Sequence, residues 1–195
     1  MEKSNHSNVL IVGGGCAGIA VASRINSLKS DLTISIVEPS EKSLYQAAWT
    51  LVGAGAYNVD DTIKPMSSVM PSYVKWIKEY AEEFLPDSNS LKTNGGTYTY
   101  DYLVVCPGLK LNYDGVAGLK ENLGKNNVCT NYSAEMATYT WDCLKQLNGG
   151  TLLFTEPPMP IKCAGAPQKI AYLAADHLKK KGKLNDSTLE FLCAK

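Results

Sequence analysis

The chain has 195 residues, 45% of them hydrophobic and 19% charged, and its 19 basic side chains balance its 19 acidic ones. This composition is typical of a soluble globular protein with one or two domains. The balanced charge argues against a nucleic-acid partner. The sequence contains no run of about 20 apolar residues, the length that would predict a membrane span. Residues 1–8 are short and polar and have the features of neither a secretory signal nor an Arg-rich transit peptide.

The predicted elements begin with a βαβ unit, in which a buried strand at 8–12 leads through a glycine turn into a helix at 19–28 and a strand at 33–37. The middle of the chain follows with a helix over the sheet at 44–56, short strands within 74–85 and 91–100, a turn at 94–96 and a buried strand at 102–106. A connector at 109–130 and a helix at 134–147 precede a second βαβ unit, with a strand at 151–155, a helix at 168–181 and a strand at 189–193.

These elements predict an α/β fold: a Rossmann-like domain with a β-meander, followed by the start of a second Rossmann-like domain. The expected boundaries are 1–115 for the first domain, 116–148 for the connector and helix, and 149–195 for the first βαβ of the second domain. Because one βαβ unit covers little core, we expect the chain to end inside a domain.

The glycine turn fits the pattern G-x-G-x-x-G through Gly13, Gly15 and Gly18. In such a turn the glycines permit a tight bend, a close approach of backbone to a pyrophosphate, and close packing of helix on strand. Glu38 follows the next strand, 20 residues after Gly18, where a carboxylate grips ribose hydroxyls and repels a 2′-phosphate. The turn therefore predicts a dinucleotide site. It does not indicate whether the dinucleotide is FAD or NAD. The alternative is a glycine turn that binds no ligand.

The six cysteines are widely spaced and form no C-x-x-C pair. They are Cys16, Cys106, Cys129, Cys143, Cys163 and Cys193. With only two histidines in the chain, this pattern argues against zinc, haem attachment and a thioredoxin-type site. Irregular spacing of this kind indicates reduced intracellular thiols.

Cys163 is the cysteine with the most informative surroundings, because it lies between the strand at 151–155 and the helix at 168–181. The thiol is expected on a tight turn at a helix N-terminus with Lys162 beside it. Helix amides and a neighbouring cation both favour a thiolate, which suits redox or nucleophilic chemistry. The alternative is a small buried side chain that fills the turn.

Several segments together resemble one enzyme family. The segments are 12–18 with its glycine turn, Val-Glu-Pro-Ser at 37–40, Tyr-Gln-Ala-Ala-Trp-Thr-Leu-Val-Gly-Ala-Gly at 45–55, Asn-Tyr-Ser at 131–133 and Lys-Cys-Ala-Gly-Ala-Pro-Gln-Lys at 162–169. They resemble sulfide:quinone oxidoreductase, in particular its mitochondrial-type branch, within the flavoproteins that have two dinucleotide-binding domains. The resemblance covers nearly the whole chain, and the segment at 162–169 is its most specific part.

The resemblance implies FAD as the cofactor. The FAD-contacting residues that it implies are Gly13, Gly15, Cys16, Ala17, Gly18, Glu38, Gln46, Ala81 and Gly108. In this assignment the glycine turn holds the pyrophosphate, Glu38 the ribose, and the backbone near Ala81 the adenine. Gln46 contacts the cofactor from a loop. Cys106 departs from the threonine that the superfamily has in its flavin-contacting turn.

The resemblance further implies that Cys163 is one of two redox-active cysteines and carries a persulfide during sulfide oxidation. Electrons would pass through FAD to ubiquinone, and a small thiol or sulfite would accept the sulfur. Lys162 is an auxiliary candidate, and Cys129 is the best candidate for a partner cysteine. The implied location is the matrix side of the mitochondrial inner membrane, with membrane association only in a full-length form and a homodimer as one assembly.

Because the family's partner cysteine, second flavin segment and quinone-binding region are expected beyond residue 195, we expect a partial form that is inactive by itself. Two alternatives stay open: a related NADH:quinone flavoprotein oxidoreductase, and a non-catalytic truncated flavoprotein fragment. A glutathione-reductase-like enzyme is excluded because position 21, where a second cysteine would pair with Cys16, holds Val21. No histidine has the neighbouring motif of a hydrolase.

Overall fold

The structure of the protein is a computed structural model that describes residues 5–194. Within it the chain forms two compact units. The first contains the described part of Met1–Leu44 together with Ile63–Gly108, and the second contains Tyr45–Thr62 together with the described part of Leu109–Lys195. The chain therefore leaves the first unit after Leu44, returns to it at Ile63 and leaves it again after Gly108.

The described residues form six α-helices and ten strands. The helices are α1 (Cys16–Leu28), α2 (Trp49–Gly53), α3 (Met66–Val69), α4 (Leu119–Asn122), α5 (Ala134–Gln146) and α6 (Gly165–Lys180). The strands are β1 (His6–Val12), β2 (Ile34–Val37), β3 (Lys42–Leu44), β4 (Ile63–Pro65), β5 (Val74–Ile77), β6 (Ala81–Leu85), β7 (Ser90–Thr93), β8 (Gly96–Val105), β9 (Gly150–Glu156) and β10 (Ser187–Cys193). None of the helices in this part of the chain is long and apolar enough to cross a bilayer.

A six-stranded sheet in the order β5-β2-β1-β8-β7-β6 forms the centre of the first unit. Strand β1 runs parallel to β2 and β8, and β2 runs parallel to β5, whereas the β6–β7–β8 part is antiparallel. This arrangement is the predicted Rossmann-like sheet with its β-meander. The fold class is therefore confirmed.

Strand β1 lies inside the sheet, and its residues 9–12 carry apolar side chains on both faces. Leu10 and Val12 belong to one buried cluster and Val9 and Ile11 to another, as the alternation of a strand requires. Leu10 and Ile11 are completely buried. Helix α1 covers the second cluster through Ala22, which is also completely buried. A fully apolar run of this kind is typical of a parallel strand covered on both sides.

The predicted turn at 94–96 separates β7 from β8, but the prediction of a separate strand at 102–106 is wrong. Strand β8 runs without a break from Gly96 to Val105. The side chain of Asn8 accommodates Asp101 at the sheet surface, because Nδ2 of Asn8 donates to Oδ2 of Asp101 over 2.7 Å. The expectation that this strand is buried is also wrong. Tyr102 is 69% and Val105 is 53% exposed, and Leu103 and Val104 between them are only partly buried against the two core clusters.

In the second unit, helix α6 joins two parallel strands. Strands β9 and β10 pair in parallel, with Leu152 opposite Leu189, which confirms the predicted second βαβ arrangement. Ile170 and Ala174 of α6 are buried in a cluster with Leu144 of α5. Helix α6 begins at Gly165, three residues before the predicted start, because Pro167 is tolerated in a first helical turn, where amides lack intrahelical acceptors anyway.

The segment at 44–56 differs from the predicted helix over the sheet. Only α2, preceded by a 3-10 turn at Gln46–Ala48, is helical, and Leu44 belongs to β3. Trp49 and Val52 pack against Ala137 of α5, so this segment belongs to the second unit. The two units therefore divide the chain at other positions than the expected boundaries after residues 115 and 148, and those domain boundaries remain a prediction.

Candidate functional site

Two glycines of the turn between β1 and α1, Gly13 and Gly18, have backbone atoms so close that there is no space for a side chain. Gly13 has φ +105°, and a Cβ there would lie 2.1 Å from the carbonyl oxygen of Cys106. A Cβ on Gly18 would lie 1.9 Å from the carbonyl oxygen of Gly13. Both positions therefore require glycine on steric grounds, as the sequence pattern predicts.

Gly15 occupies the open side of the same turn. Its backbone is extended, with φ −74°, and a Cβ at this position would meet nothing within 4 Å. The exposed residues Cys16 and Ala17 follow in the first turn of α1, where amide groups lack intrahelical acceptors. An open concave turn with free amides at a helix N-terminus fits a pyrophosphate.

Glu38 lies at the end of β2 and joins the glycine turn to that strand. One carboxylate oxygen accepts from the Gly14 amide over 2.8 Å, and the other accepts from the Ser40 amide over 2.8 Å. A carboxylate oxygen can accept more than one hydrogen bond, so Glu38 retains the capacity to accept from ribose hydroxyls. Its position beside the turn fits the predicted ribose contact.

The segment after β8 lies against the same turn. The Cys106 amide donates to the carbonyl of Val12 over 2.8 Å, and the Cys106 sulfur lies 3.9 Å from the carbonyl oxygen of Gly13. Burial raises the pKa of the Cys106 thiol, so the thiol is protonated at neutral pH. Gly108 has φ +82° and open space around its missing Cβ. Ala81, by contrast, begins the edge strand β6, opposite Thr93 of β7.

Cys163 lies in the second unit as an exposed free thiol in a left-handed backbone conformation, with φ +56°. Its carbonyl oxygen accepts from the Ala166 amide over 2.9 Å and from the Tyr132 hydroxyl over 3.2 Å. These two donors hold the backbone immediately before α6. The alternative of a small buried side chain at this position is wrong.

The backbone conformation of Cys163 is unusual for its residue type. A residue with a Cβ in the left-handed region costs on the order of 1–2 kcal/mol relative to ordinary backbone. Conformations of this kind persist where surrounding contacts impose them, and they are concentrated at functional sites. The left-handed backbone therefore indicates a functional role for Cys163 independently of the sequence motif.

Tyr132 is the neighbour of Cys163 to which sequence reasoning assigned no role. The Lys162 ammonium lies 6.0 Å from the centroid of its ring, within the range of a cation–π contact. Burial, followed by the charges of Cys163 and Glu156, raises the pKa of Tyr132, so its hydroxyl stays protonated and donates to Cys163. The only signal in the sequence was the Asn-Tyr-Ser segment at 131–133.

The other two candidates, Gln46 and Cys129, also belong to the second unit. Gln46 is exposed at the start of its 3-10 turn. Cys129 is half-buried, and the thiol that influences it is that of Cys143 on α5. Cys193, by contrast, is exposed at the end of β10.

A parallel sheet, a closed glycine turn and an acidic residue after the second strand define a dinucleotide-binding protein of the Rossmann type. The family model described as pyridine nucleotide-disulphide oxidoreductase matches residues 7–137. The chain belongs to this family.

Among curated relatives, the chain is similar to the mitochondrial sulfide:quinone oxidoreductases of Mus musculus and Dictyostelium discoideum. The identities are 40% and 44%, over 96% and 97% of this chain but 42% and 43% of those proteins. The crystal structure of the sulfide:quinone oxidoreductase from Aquifex aeolicus matches with a TM-score of 0.79 and 29% identity, over 96% of this chain and 43% of that one. The chain thus spans about two fifths of the length of these relatives.

A weaker likeness connects the chain to another class of quinone-reducing enzyme. The type II NADH:quinone oxidoreductase of Staphylococcus haemolyticus is 30% identical, over 60% of this chain and 30% of that protein.

Proposed function

We propose that this chain is the FAD-binding and sulfur-accepting part of a sulfide:quinone oxidoreductase. The observation that carries the proposal is Cys163: an exposed thiol, on a left-handed turn before α6, within the segment that most specifically resembles this family. The family membership and the names of the similar mitochondrial proteins support the assignment.

The glycine turn would hold the pyrophosphate of FAD. Its open side at Gly15 leaves room for the ligand, and the first-turn amides of Cys16 and Ala17 are donors for phosphate oxygens. Glu38 would accept from the adenosine ribose. The bound flavin would supply a two-electron acceptor for the chemistry at sulfur.

Cys163 would act as the sulfur acceptor and form a persulfide. The side chain is accessible, and its backbone is held by Ala166 and Tyr132, so the thiol is presented from a fixed turn. Lys162 lies next to it and supplies a positive charge for anionic sulfur species. Contacts of Gln46, Ala81 and Gly108 with the cofactor remain predictions, as does Cys129 as a partner of Cys163.

We infer sulfide as the electron donor and a quinone as the acceptor from the names of the similar enzymes, and a mitochondrial location from the same names. The sulfur acceptor, the homodimer and the side of the membrane stay predictions from the resemblance. Reduction of quinone by NADH is the competing function. It rests on the weaker likeness to type II enzymes, and it needs no thiol at position 163.

Flavin binding is tested by titrating FAD into the purified chain and following the quenching of flavin fluorescence. We expect saturable quenching, and we expect Gly15→Val to weaken binding at least about tenfold by filling the open side of the turn. Gly165→Val is the matched control, because position 165 in the second unit is also open. An equal effect of both variants, or no saturation by the parent chain, would contradict the proposed cofactor site.

The role of Cys163 is tested with inorganic polysulfide as the sulfur donor. Transfer of one sulfur atom to the thiol releases a polysulfide shorter by one sulfur and is read by mass spectrometry on the tryptic peptide 163–169. The exposed thiol of Cys193, on peptide 184–195, is the internal reference. We expect Cys163 to react several-fold faster than Cys193. We expect Lys162→Met, in which trypsin releases Cys163 on peptide 146–169 instead, to reduce this difference. Equal rates at the two thiols would remove the support for Cys163.

A further inference from the structure

A second thiol site lies in the connector and includes Cys129, whose pairing with Cys163 is a prediction from the resemblance alone. Residues 125–128 form a tight turn closed by an antiparallel bridge between Lys125 and Val128. Its two central residues, Asn126 and Asn127, both have left-handed backbone, with φ +51° and +62°. Two consecutive positive φ values are characteristic of a type I′ turn, for which asparagine is well suited. Cys129 follows this turn directly.

The turn is attached to helix α5 by a hydroxyl group. The Asn127 amide donates to the Tyr139 hydroxyl over 3.2 Å, and the Cys129 sulfur lies 3.5 Å from the carbonyl oxygen of Asn127. Cys143 lies one helical turn after Tyr139, on the same face of α5. The same phenol interacts with the Cys143 thiol. The Tyr139 hydroxyl therefore connects the turn that precedes Cys129 with helix α5, which carries Cys143.

The thiols of Cys129 and Cys143 are consequently close to each other. Cys129 interacts with the thiol of Cys143 and with the hydroxyl of Thr140, one position after Tyr139. Both cysteines are half-buried and free. No group of three or more His, Cys, Asp or Glu side chains suited to hold a metal ion occurs between residues 5 and 194. Two neighbouring thiols without a third ligand are suited to disulfide chemistry rather than to metal binding.

We propose that Cys129 and Cys143 form an oxidisable dithiol pair, which hydrogen peroxide converts into a disulfide that ties the connector turn to helix α5. First, the Cys143 sulfur attacks the peroxide, so that an S–O bond forms, the O–O bond breaks and water leaves. Then the Cys129 sulfur attacks the sulfenic acid, so that an S–S bond forms, the S–O bond breaks and a second water leaves. Two thiols lose two electrons in total, and the peroxide gains them.

The environment of the pair determines which thiol reacts first. Burial, and then the neighbouring Cys143, raise the pKa of Cys129 to about 12, while the Thr140 hydroxyl lowers it. Cys129 is therefore protonated at neutral pH and a poor nucleophile for the first step, because the thiolate is the reactive form. The first attack falls to Cys143, and Cys129 acts as the resolving thiol.

The chain provides a direct readout of this reaction. Trypsin is expected to release residues 126–145 as one peptide, which contains both cysteines of the pair and no other, and residues 163–169 as another, which contains only Cys163. The reduced 195-residue chain is treated with one equivalent of hydrogen peroxide, alkylated, digested without reductant and examined by mass spectrometry.

We expect most of peptide 126–145 to lose two hydrogen atoms and to carry no alkyl group, and to take two alkyl groups after reduction. In Cys129→Ser, the oxidation should stop at a sulfenic acid on Cys143 that dimedone traps. In Cys143→Ser, Cys129 should stay reduced. Tyr139→Phe should slow disulfide formation several-fold, because it removes the hydroxyl that holds the turn against the helix. Cys193→Ser is the control and should change nothing.

Two results would overturn the proposal. The first is a peptide 126–145 that carries two alkyl groups while Cys163 or Cys193 is oxidised. The second is a disulfide that links peptide 126–145 to peptide 163–169, which would instead pair Cys129 or Cys143 with Cys163. Because the assay contains neither flavin nor sulfide, its outcome is independent of the proposed sulfide oxidation.

Discussion

The two units differ in how their sheets are covered. In the first unit, all four residues from Val9 to Val12 of β1 are at most 6% exposed. In the second unit, Leu153 of β9 is 59% and Leu192 of β10 is 50% exposed, and the buried residues lie mainly on α5 and α6. The core of the first unit thus follows from its sheet, whereas that of the second follows from helix packing.

This difference extends to the two candidate sites. The glycine turn has backbone atoms around Gly13 and Gly18 at distances that exclude any side chain. The Cys163 turn is exposed and is held by hydrogen bonds to its carbonyl group. A substitution at Gly13 or Gly18 therefore disturbs closely packed backbone, whereas a substitution at Cys163 changes mainly the conformational energy of one residue.

The largest effect is expected from Gly13→Ala. The new Cβ would overlap the Cys106 carbonyl at a φ that side chains rarely adopt, and we expect the free energy of unfolding to fall by about 3 kcal/mol or more. Urea denaturation followed by tryptophan fluorescence measures the change. Gly15→Ala is the control and should stay within about 0.5 kcal/mol of the parent. Similar losses in both variants would mean that the turn is less tightly closed than its geometry indicates.

An intermediate effect is expected from Gly55→Ala in the second unit. Gly55 has φ +72°, and its Cβ would lie 2.3 Å from the Trp141 ring. We expect a loss of about 2–3 kcal/mol, from backbone strain together with displacement of the ring. Gly182 has φ +68° and open surroundings, so Gly182→Ala introduces the backbone strain without a steric contact. This variant should lower the free energy of unfolding by about 1 kcal/mol. Thermal unfolding of both variants measures the difference. Equal melting temperatures would mean that the contact with the Trp141 ring does not add to the loss of stability.

A smaller effect, of the opposite sign, is expected at Cys163. Cys163→Gly relieves the left-handed backbone strain, whereas Cys163→Ala retains it, so the glycine variant should be more stable by about 1 kcal/mol. Both variants should fail to accept sulfur from polysulfide at position 163. Chemical denaturation of the pair gives the difference. If the alanine variant is as stable as the glycine variant, strain at this turn is not a property of the folded protein.

The smallest effect is a pH dependence from His177, whose ring packs edge-on against Trp141 with 5.0 Å between the centroids. Burial, followed by the charges of Lys181 and Lys180, lowers the pKa of His177 from its ordinary value of 6.5. The unfolded chain then binds the proton more readily than the folded one. The contribution of His177 to the free energy of unfolding is therefore fully present above pH 6.5 and is lost as the pH falls below that value.

His177→Phe keeps a ring at this position and loses no hydrogen bond, since Nε2 of His177 is buried without a partner. The variant should lose less stability than the parent between pH 7 and pH 5, as measured by melting temperature. An identical pH dependence in both proteins would assign the acid sensitivity to other groups.

Local sequence patterns were sufficient where one segment determines its own conformation. The apolar run at 8–12, the spacing of Gly13, Gly15 and Gly18, and the position of Glu38 predicted a strand, a turn and an acidic neighbour, and the structure has all three. The prediction was less accurate for β8, because whether a strand continues past Asp101 depends on Asn8 of another strand.

Sequence by itself determined the elements with strong periodicity and the class of the glycine turn, because hydrophobic alternation and glycine stereochemistry act over a few residues. Only the tertiary structure decided that Tyr132 holds the Cys163 turn, that Cys129 lies close to Cys143, and that the segment 45–62 joins the second unit. Those contacts join residues far apart in the chain, and they depend on how helices and turns pack, which no short segment specifies.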